Sequence, residues 1–356
     1  MHLLLFNLAT DLDDPILGFT TAWITALARR MEFIHVITMR AGRVEVPDNV
    51  RVYSVGKEKG YSEARRLLEF YRYLFRILRV DCIDVCFSHM IPTFTVLAAP
   101  ILKARHIPIV TWYAHRHVSA MLKVAHHLSD QIVSSADSAY HYKRDKLEVI
   151  GQGIDTDLFS PDGTEPEDPP LLLCVGRLSP IKDQMTLIEA VHILRQRGYP
   201  VSCALVGDAP QAHHSYVEEL RRRVEDLKLA GVVQFVGSVP NHEVVSWYRR
   251  CFAHVNCSPA DHSLDKAVLE AMACGKPSFT STLGFQNTVG QWEDMLLFHQ
   301  GNPEDLAARL ERLLCLGNRQ RQAMAIELRQ SVMRLHSLEN LVDKMIMVFQ
   351  KVQSYR

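Results

Sequence analysis

The stretch PDGTEPEDPPLLLCVG (161–176) separates two halves of the chain that repeat one pattern. Its first ten residues contain four of the sixteen prolines and four acidic residues, which is typical of a stiff, solvated linker. The apolar run that follows, LLLCVG (171–176), resembles a strand buried on both faces of a parallel sheet. We therefore predict a linker at 161–170 and the first strand of a second domain at 171.

On both sides of this stretch, short apolar runs alternate with longer helical patterns. The runs lie at 2–9, 33–39, 50–55, 85–89, 108–114, 131–136 and 147–150, and then at 171–176, 201–207, 232–237, 254–259, 277–281 and 295–299. This alternation predicts βαβ units. The expected fold class is therefore α/β, with two doubly wound Rossmann-like domains at 1–160 and 171–335. A final helix at 336–356 is expected to pack back on the first domain.

Two such domains are expected to bring the carboxyl ends of their sheets to one interdomain cleft. Ligands of open α/β sheets bind beyond those ends, so the residues that follow strands are the candidates for function.

The composition limits the classes of function. The 356 residues include 40 basic and 40 acidic side chains, so no nucleic-acid partner is expected. The eight cysteines form no CxxC pair, which argues against a zinc ribbon or a disulfide scaffold. The N-terminal apolar run reads as a strand and not as a signal peptide, and no run approaches the length of a membrane span. A cytoplasmic protein is expected.

The run that begins at 171 ends in Gly176-Arg177-Leu178-Ser179-Pro180-Ile181-Lys182, just before a helical pattern. Two cations and free backbone amides near a helix N-terminus suit a phosphate or diphosphate. A pair of solvated side chains on an ordinary loop is an equal alternative from this fragment alone.

A second polar element is SLDKAVLEAMACGKP (263–277). Ser263 is the expected N-cap of its helix, and Gly275 with Pro277 ends it. Glu270 stands in an apolar stretch, so its carboxylate is expected to face a group that satisfies it. Lys266 lies one turn earlier. The pair is either an i,i+4 contact on a half-exposed helix or a site for sugar hydroxyls.

Five fragments occur in this order from residue 151 onwards: GQGIDTDLFSP (151–161), VGRLSPIKD (175–183), LVGDAP (205–210), QFVGSVP (234–240) and LEAMACGKPSFTS (269–281). With them the chain resembles the family-4 retaining glycosyltransferases of GT-B fold, the glycosyl transferases group 1 type. The resemblance implies transfer of a sugar from a nucleotide diphosphate sugar, such as a UDP- or GDP-sugar, to an acceptor hydroxyl. It implies no bound metal and no cofactor other than this donor.

The resemblance also implies roles for individual residues. Arg177 and Lys182 match the basic pair that grips the diphosphate and stabilises the leaving group, and Glu270 matches the acid that holds the donor ribose. Gly18 matches a glycine loop beside the transferred sugar. The donor-binding residues implied in this way are Gly18, Arg177, Lys182, Gly207, Val236, Asp261, Ser263, Leu264, Lys266 and Glu270.

A catalytic histidine is expected in the first domain. His115 lies near the position of the family's active-site histidine, although His117 and His89 are alternatives. Any one histidine is more often a structural residue than a catalyst.

The sequence departs from the family eight residues before Glu270, where His262 replaces the usual first Glu. Either Asp261 substitutes for that acid, or the SLDK segment (263–266) handles the sugar differently, so the donor sugar is left open. The acids at Asp11-Leu12-Asp13-Asp14 imitate a DxD metal motif, but we interpret them as caps of the helix that begins near Pro15.

The segment RRLLEFYRYLFRILR (65–79) predicts a basic amphipathic helix. We favour a domain helix with arginines in water over a helix that lies on an anionic membrane. Membrane contact would indicate a lipid-linked acceptor. Two other functions stay open: a nucleotide-sugar epimerase of the same fold, and a non-catalytic transferase-like subunit.

Overall fold

The computed structural model describes residues 1–261 and 263–354, and they divide into two compact units. The first unit comprises Met1–Gly153, Pro240–His242 and residues 338–354. The second comprises Ile154–Val239 and Glu243–Ser337, as far as these are described. Each unit contains a parallel sheet with helices, so the predicted α/β class is confirmed.

In the described part of the first unit, seven parallel strands form a sheet of order β3-β2-β1-β4-β5-β6-β7. The strands are β1 His2–Thr10, β2 Phe33–Ala41, β3 Val50–Ser54, β4 Val85–His89, β5 Ile109–Trp112, β6 Gln131–Ser134 and β7 Leu147–Val149. The helices are α1 Phe19–Ala28, α2 Glu63–Val80, α3 Pro92–Ala104, α4 Ala120–Leu128 and, at the end of the chain, α13 Leu338–Ser354.

Successive side chains of β1 enter two different cores, because a strand points alternate residues to opposite faces. Leu3 and Leu5 pack with α1 and α13, whereas Leu4 and Phe6 pack with α2 and α3. The helix α13 contributes seven buried apolar side chains to the first of these cores, which explains why the end of the chain belongs to the first unit.

In the described part of the second unit, five parallel strands have the order β10-β9-β8-β11-β12. The strands are β8 Leu171–Val175, β9 Ser202–Val206, β10 Val233–Gly237, β11 Ala253–Asn256 and β12 Ser278–Thr280. The helices are α5 Gln184–Gln196, α6 His214–Asp226, α7 Asn241–Arg250, α8 Lys266–Ala273, α9 Gln286–Val289, α10 Glu293–Leu296, α11 Pro303–Leu314 and α12 Asn318–His336. The first two residues of α7 are grouped with the first unit and the rest with the second.

The division between the units differs from the predicted boundary at 160. The chain enters the second unit at Ile154, because residues 154–160 pack there. Phe159 is buried against Tyr248, with ring centroids 5.9 Å apart. Arg329 donates hydrogen bonds to the carbonyls of Thr156 and Phe159 at 3.2 and 3.1 Å.

The predicted linker 161–170 also lies in the second unit. Its acids pair with arginines at the end of α7: Glu167 with Arg250 at 3.2 Å, and Asp162 with Arg249 at 3.4 Å. The composition indicated an exposed, irregular segment but could not show these contacts.

The strand predicted at 295–299 is wrong. Residues Glu293–Leu296 form the short helix α10, and Leu297 makes an isolated bridge to Thr280. A short apolar run does not distinguish a buried helical turn from a strand. None of the described helices is long and apolar enough to cross a membrane.

Candidate functional site

The strand order of the second unit reverses between β8 and β11, which are hydrogen-bonded neighbours. From β8 the chain continues to β9 on one side, and from β11 it continues to β12 on the other. Such a switch point opens a crevice at the carboxyl ends of the strands. Arg177 and Lys182 follow β8, and Ser258 and Asp265 follow β11, so the switch point is lined by charged and polar side chains.

Lys182 is the centre of this group. Its Nζ donates a hydrogen bond to Ser258 Oγ at 3.2 Å and forms an ion pair with the Asp265 carboxylate. The same carboxylate accepts a hydrogen bond from Asn256 Nδ2 at 2.9 Å. Only 11% of the Lys182 side chain and 16% of the Asp265 side chain are exposed, so water screens this pair less than a surface pair. The sequence predicted Lys182 but missed Asp265, because 83 residues separate the two.

Arg177 lies on the same loop but is exposed. Among the residues that the structure describes, none forms an ion pair with its guanidinium. The backbone around it is fixed: Gln184 Nε2 donates to the Arg177 carbonyl at 3.0 Å, and Leu178 N donates to the Asp208 carbonyl at 3.1 Å. A loop held by these hydrogen bonds therefore presents an exposed cation on the same segment as Lys182.

Gly207 ends β9 beside this loop. Its φ is +137°, and a Cβ there would stand 2.1 Å from the Gly176 carbonyl oxygen. Its amide donates to the Gly237 carbonyl at 2.8 Å, which ties β9 to the end of β10. Only glycine fits this close approach of three strand ends. Gly207 thus shapes the loop after β8, and Val236 lies half-buried in β10 at the edge of the sheet.

The helix α8 begins later than predicted. Asp265, not Ser263, is its N-cap, and its side chain accepts from Ala267 N at 3.4 Å. Two possible caps stand two residues apart in the sequence, and the contacts of Asp265 with Lys182 and Asn256 fix which of them occupies the position.

Glu270 is buried on α8, and Tyr248 OH donates a hydrogen bond of 3.0 Å to its Oε2. Burial, together with the Glu270 carboxylate, raises the pKa of Tyr248 well above its usual value, so the phenol stays protonated and donates. Lys266 is half-buried one turn earlier. Burial lowers the pKa of its ammonium, and the Glu270 carboxylate opposes that effect.

The remaining predicted donor-binding residues lie in the irregular segment before α8. Asp261 is exposed, Ser263 is half-buried and Leu264 is buried, with its Cδ2 beside Gly284. His262, the residue that replaces the family's first Glu, lies outside the described residues. Whether Asp261 takes over the role of that Glu stays a prediction.

In the first unit, the order reverses between β1 and β4. Gly18 directly precedes α1 there, and a Cβ on it would stand 2.6 Å from the Asp14 carbonyl oxygen and 2.9 Å from that of Leu12. The acids of the nearby turn have partners. Asp14 Oδ1 accepts from two amides, those of Ile16 and Leu17, at 2.9 and 2.8 Å, and its carboxylate pairs with Arg40. These are the contacts of a capped turn. The prediction that the acids cap a helix beginning near Pro15 is wrong, because α1 begins at Phe19 and its N-cap, Gly18, has no side chain to accept a hydrogen bond.

The three candidate histidines differ in environment. His89 ends β4 and is buried, with its ring 5.2 Å from that of Trp23 and its Nδ1 3.3 Å from Asn7 Oδ1. His115 and His117 are exposed in the loop after β5, where His117 N donates to His115 Nδ1 at 3.0 Å. His89 thus has the surroundings of a core residue, and His115 those of a residue that a ligand can reach.

Comparisons with known proteins agree with this description. Residues 169–315 match the family model described as "Glycosyl transferases group 1". The chain is 30% identical over 202 residues to a D-inositol 3-phosphate glycosyltransferase of Frankia alni, which covers 51% of the chain and 49% of that protein. It is 34% identical over 147 residues to a GDP-mannose-dependent alpha-(1-6)-phosphatidylinositol monomannoside mannosyltransferase of Mycolicibacterium smegmatis, covering 37% of each. The match therefore spans half or less of these relatives' length.

Among solved structures, HepE of Anabaena in complex with UDP is similar over 99% of this chain and 100% of that one, with a TM-score of 0.76 and 18% identity. Such a likeness concerns the fold alone. The comparisons confirm the resemblance to group 1 glycosyltransferases and the GT-B fold. Assignment to family 4 stays a prediction.

Proposed function

We propose that this chain is a glycosyltransferase that moves a sugar from a nucleotide diphosphate sugar to an acceptor hydroxyl, with retention at the anomeric carbon and without a bound metal. The observation that carries the proposal is the cationic switch point of the second unit. Exposed Arg177 and half-buried Lys182 border it, within the segment that matches the group 1 family.

The largest electrostatic demand of this reaction is the charge that develops on the leaving diphosphate. Arg177 and Lys182 would stabilise it, because cations fixed in advance act most strongly where charge develops in the transition state. The bond between the anomeric carbon and the phosphate oxygen breaks, and a bond to the acceptor oxygen forms on the same face. The departing phosphate takes the acceptor proton, so the reaction needs no separate nucleophile and base.

The donor is proposed to be a UDP- or GDP-sugar. One relative is named for its dependence on GDP-mannose, and a structure of the same fold was solved with UDP. The acceptor is proposed to be a lipid-linked or other glycoconjugate precursor, since one relative's name describes a phosphatidylinositol monomannoside substrate.

A panel of UDP-, GDP- and ADP-sugars tests the proposal, first by thermal stabilisation and then by donor turnover. We expect one donor to raise the unfolding temperature and to be hydrolysed slowly without acceptor. An epimerised donor would instead identify a nucleotide-sugar epimerase, an alternative that no observation favours. Stabilisation without any turnover, with or without acceptors, would indicate a non-catalytic subunit.

The outer face of α2 supports a lipid-linked acceptor. Leu68 and Phe75 are 67% and 43% exposed, and they lie among exposed arginines. The buried face of α2 is formed by other side chains, including Phe70 and Leu74. Apolar side chains among arginines match the apolar interior and anionic headgroups of a membrane surface. The sequence alone favours a domain helix with its arginines in water, but the exposure of Leu68 and Phe75 changes that preference, and we propose that α2 contacts an anionic membrane surface.

Sedimentation with phosphatidylcholine vesicles, with and without phosphatidylglycerol, tests this contact. We expect binding only to the anionic vesicles, and loss of binding in the double variant Leu68→Ser/Phe75→Ser. The control variant Ile326→Ser/Met347→Ser removes two other exposed apolar side chains and should bind like the wild type. Equal loss in both double variants would contradict a role for α2.

A further inference from the structure

We propose that Asp265 is an internal competitor for Lys182 that sets the affinity of the switch point for nucleoside diphosphates. The proposal rests on the proposed function, because it concerns the same cationic site. It concerns a residue that the sequence motifs did not assign to the diphosphate.

Asp265 joins three elements of the second unit. Its carboxylate pairs with Lys182 from the loop after β8, and it accepts from Asn256 Nδ2 at the end of β11. It also caps α8 through the Ala267 amide at 3.4 Å. A cation, an amide donor and a helix N-terminus are the partners that a phosphate oxygen would use, so the carboxylate holds partners that a phosphate needs.

The charges at the switch point indicate that Asp265 weakens the binding of a diphosphate. Arg177 and Lys182 provide two positive charges, and Asp265 cancels one of them inside a group that is largely shielded from water. A diphosphate that binds Lys182 must either separate it from Asp265 or share it with that carboxylate at close range. Either way, affinity for the diphosphate is lowered. Weaker binding would speed the release of the nucleoside diphosphate product, a step that limits many enzymes.

Asp265→Asn and Asp265→Ser remove the charge but keep side chains that cap helices well. Titration calorimetry would measure the binding of UDP and GDP, and of uridine and guanosine, to the wild type and both variants. We expect both variants to bind the diphosphate about tenfold more tightly, with unchanged affinity for the nucleoside. The nucleosides carry no phosphate, so they report any change that is merely structural.

Unchanged or weaker diphosphate binding in the two variants would overturn the proposal, as would an equal gain for nucleoside and diphosphate. Unfolding curves of the two variants that coincide with the curve of the wild type would establish that both variants keep the fold. A wild type that binds neither UDP nor GDP would overturn the proposed function, and this proposal with it. Wild-type binding without a gain in the variants would overturn only the role of Asp265.

Discussion

The switch points of the two sheets share a topology and differ in chemistry. In the first unit, the buried His89 at the end of β4 lies among aromatic rings, with that of Trp112 6.2 Å away. In the second unit, the ends of β8 and β11 carry the ion pair of Lys182 and Asp265. The same sheet pattern therefore surrounds a buried histidine with aromatic rings in one unit, where the nearby Asp14 is paired with Arg40, and carries a cationic site in the other. The side chains at the strand ends, and not the fold, indicate the ligand.

The strongest test of this contrast removes the exposed cation of the second unit. Arg177→Ala should lower turnover about 10³-fold or more, because it removes a charge that stabilises the leaving diphosphate. The unfolding transition should not change, since the side chain is exposed. Arg222→Ala, a second exposed arginine of the same unit, is the matched control and should stay active. Near-normal turnover of Arg177→Ala would remove the basis of the functional assignment.

The sequence predicted the strands of the two parallel sheets, but not most of the side-chain contacts that make their switch points differ. Parallel strands buried on both faces give continuous apolar runs, so twelve of the thirteen predicted runs correspond to strands of the described chain. The run at 295–299 failed because its length and composition fit both a strand and a helical turn. The end of the first unit at Gly153 depends on contacts such as that of Phe159 with Tyr248, which no local pattern contains.

The candidate site was predictable where a motif carries it. Arg177 and Lys182 follow a strand in a recognisable fragment, and their place at the carboxyl end of the sheet follows from the βαβ pattern, whereas the strand order that makes this end a switch point did not. The partner of Lys182 was not predictable, since Asp265 is 83 residues away and looks like part of a cap. Tyr248, which donates to Glu270, lies 22 residues before it on another helix, so the sequence did not predict this contact either.

Acid should weaken the second unit through a buried histidine of β11, one of the two strands at its switch point. Burial lowers the pKa of His254, in β11, from 6.5 to about 4. Between these two pH values, His254 is protonated in the unfolded chain and neutral in the folded chain. The free energy of unfolding therefore falls as the pH drops from 6.5 towards 4. The loss should reach about 3 kcal/mol.

Urea unfolding of the wild type and His254→Gln at pH 7 and pH 4.5 would measure this effect. The variant should lose less stability between the two pH values than the wild type. His192→Gln, in α5, serves as the control and should follow the wild type. Parallel losses in the wild type and His254→Gln would mean that other groups cause the acid sensitivity.

A smaller effect should identify the histidine that serves the first unit. His115→Ala should lower turnover about 10²-fold without loss of stability, because the loss of a side chain that positions the substrate has an effect of this size and the His115 side chain is exposed. His117→Ala is the neighbouring control and should have little effect on turnover. If His89→Phe abolished turnover in a folded protein while His115→Ala did not, the buried histidine at the switch point would be the functional one.

The smallest expected effect compares one tyrosine from each unit. Tyr248 OH donates to the buried Glu270 carboxylate at 3.0 Å, and Tyr113 OH donates to the His117 carbonyl at 2.7 Å. Hydrogen bonds to charged groups contribute more than those to neutral groups. Tyr248→Phe should therefore cost about 2 kcal/mol of unfolding free energy, and Tyr113→Phe about 1 kcal/mol.

The cost of Tyr248→Phe should shrink in a Glu270→Gln background, because the charge that strengthens the hydrogen bond is then absent. Urea unfolding of the two single variants and the double variant measures this coupling. Equal costs of Tyr248→Phe in both backgrounds would mean that the loss comes from packing. The charge of Glu270 would then not strengthen the hydrogen bond from Tyr248.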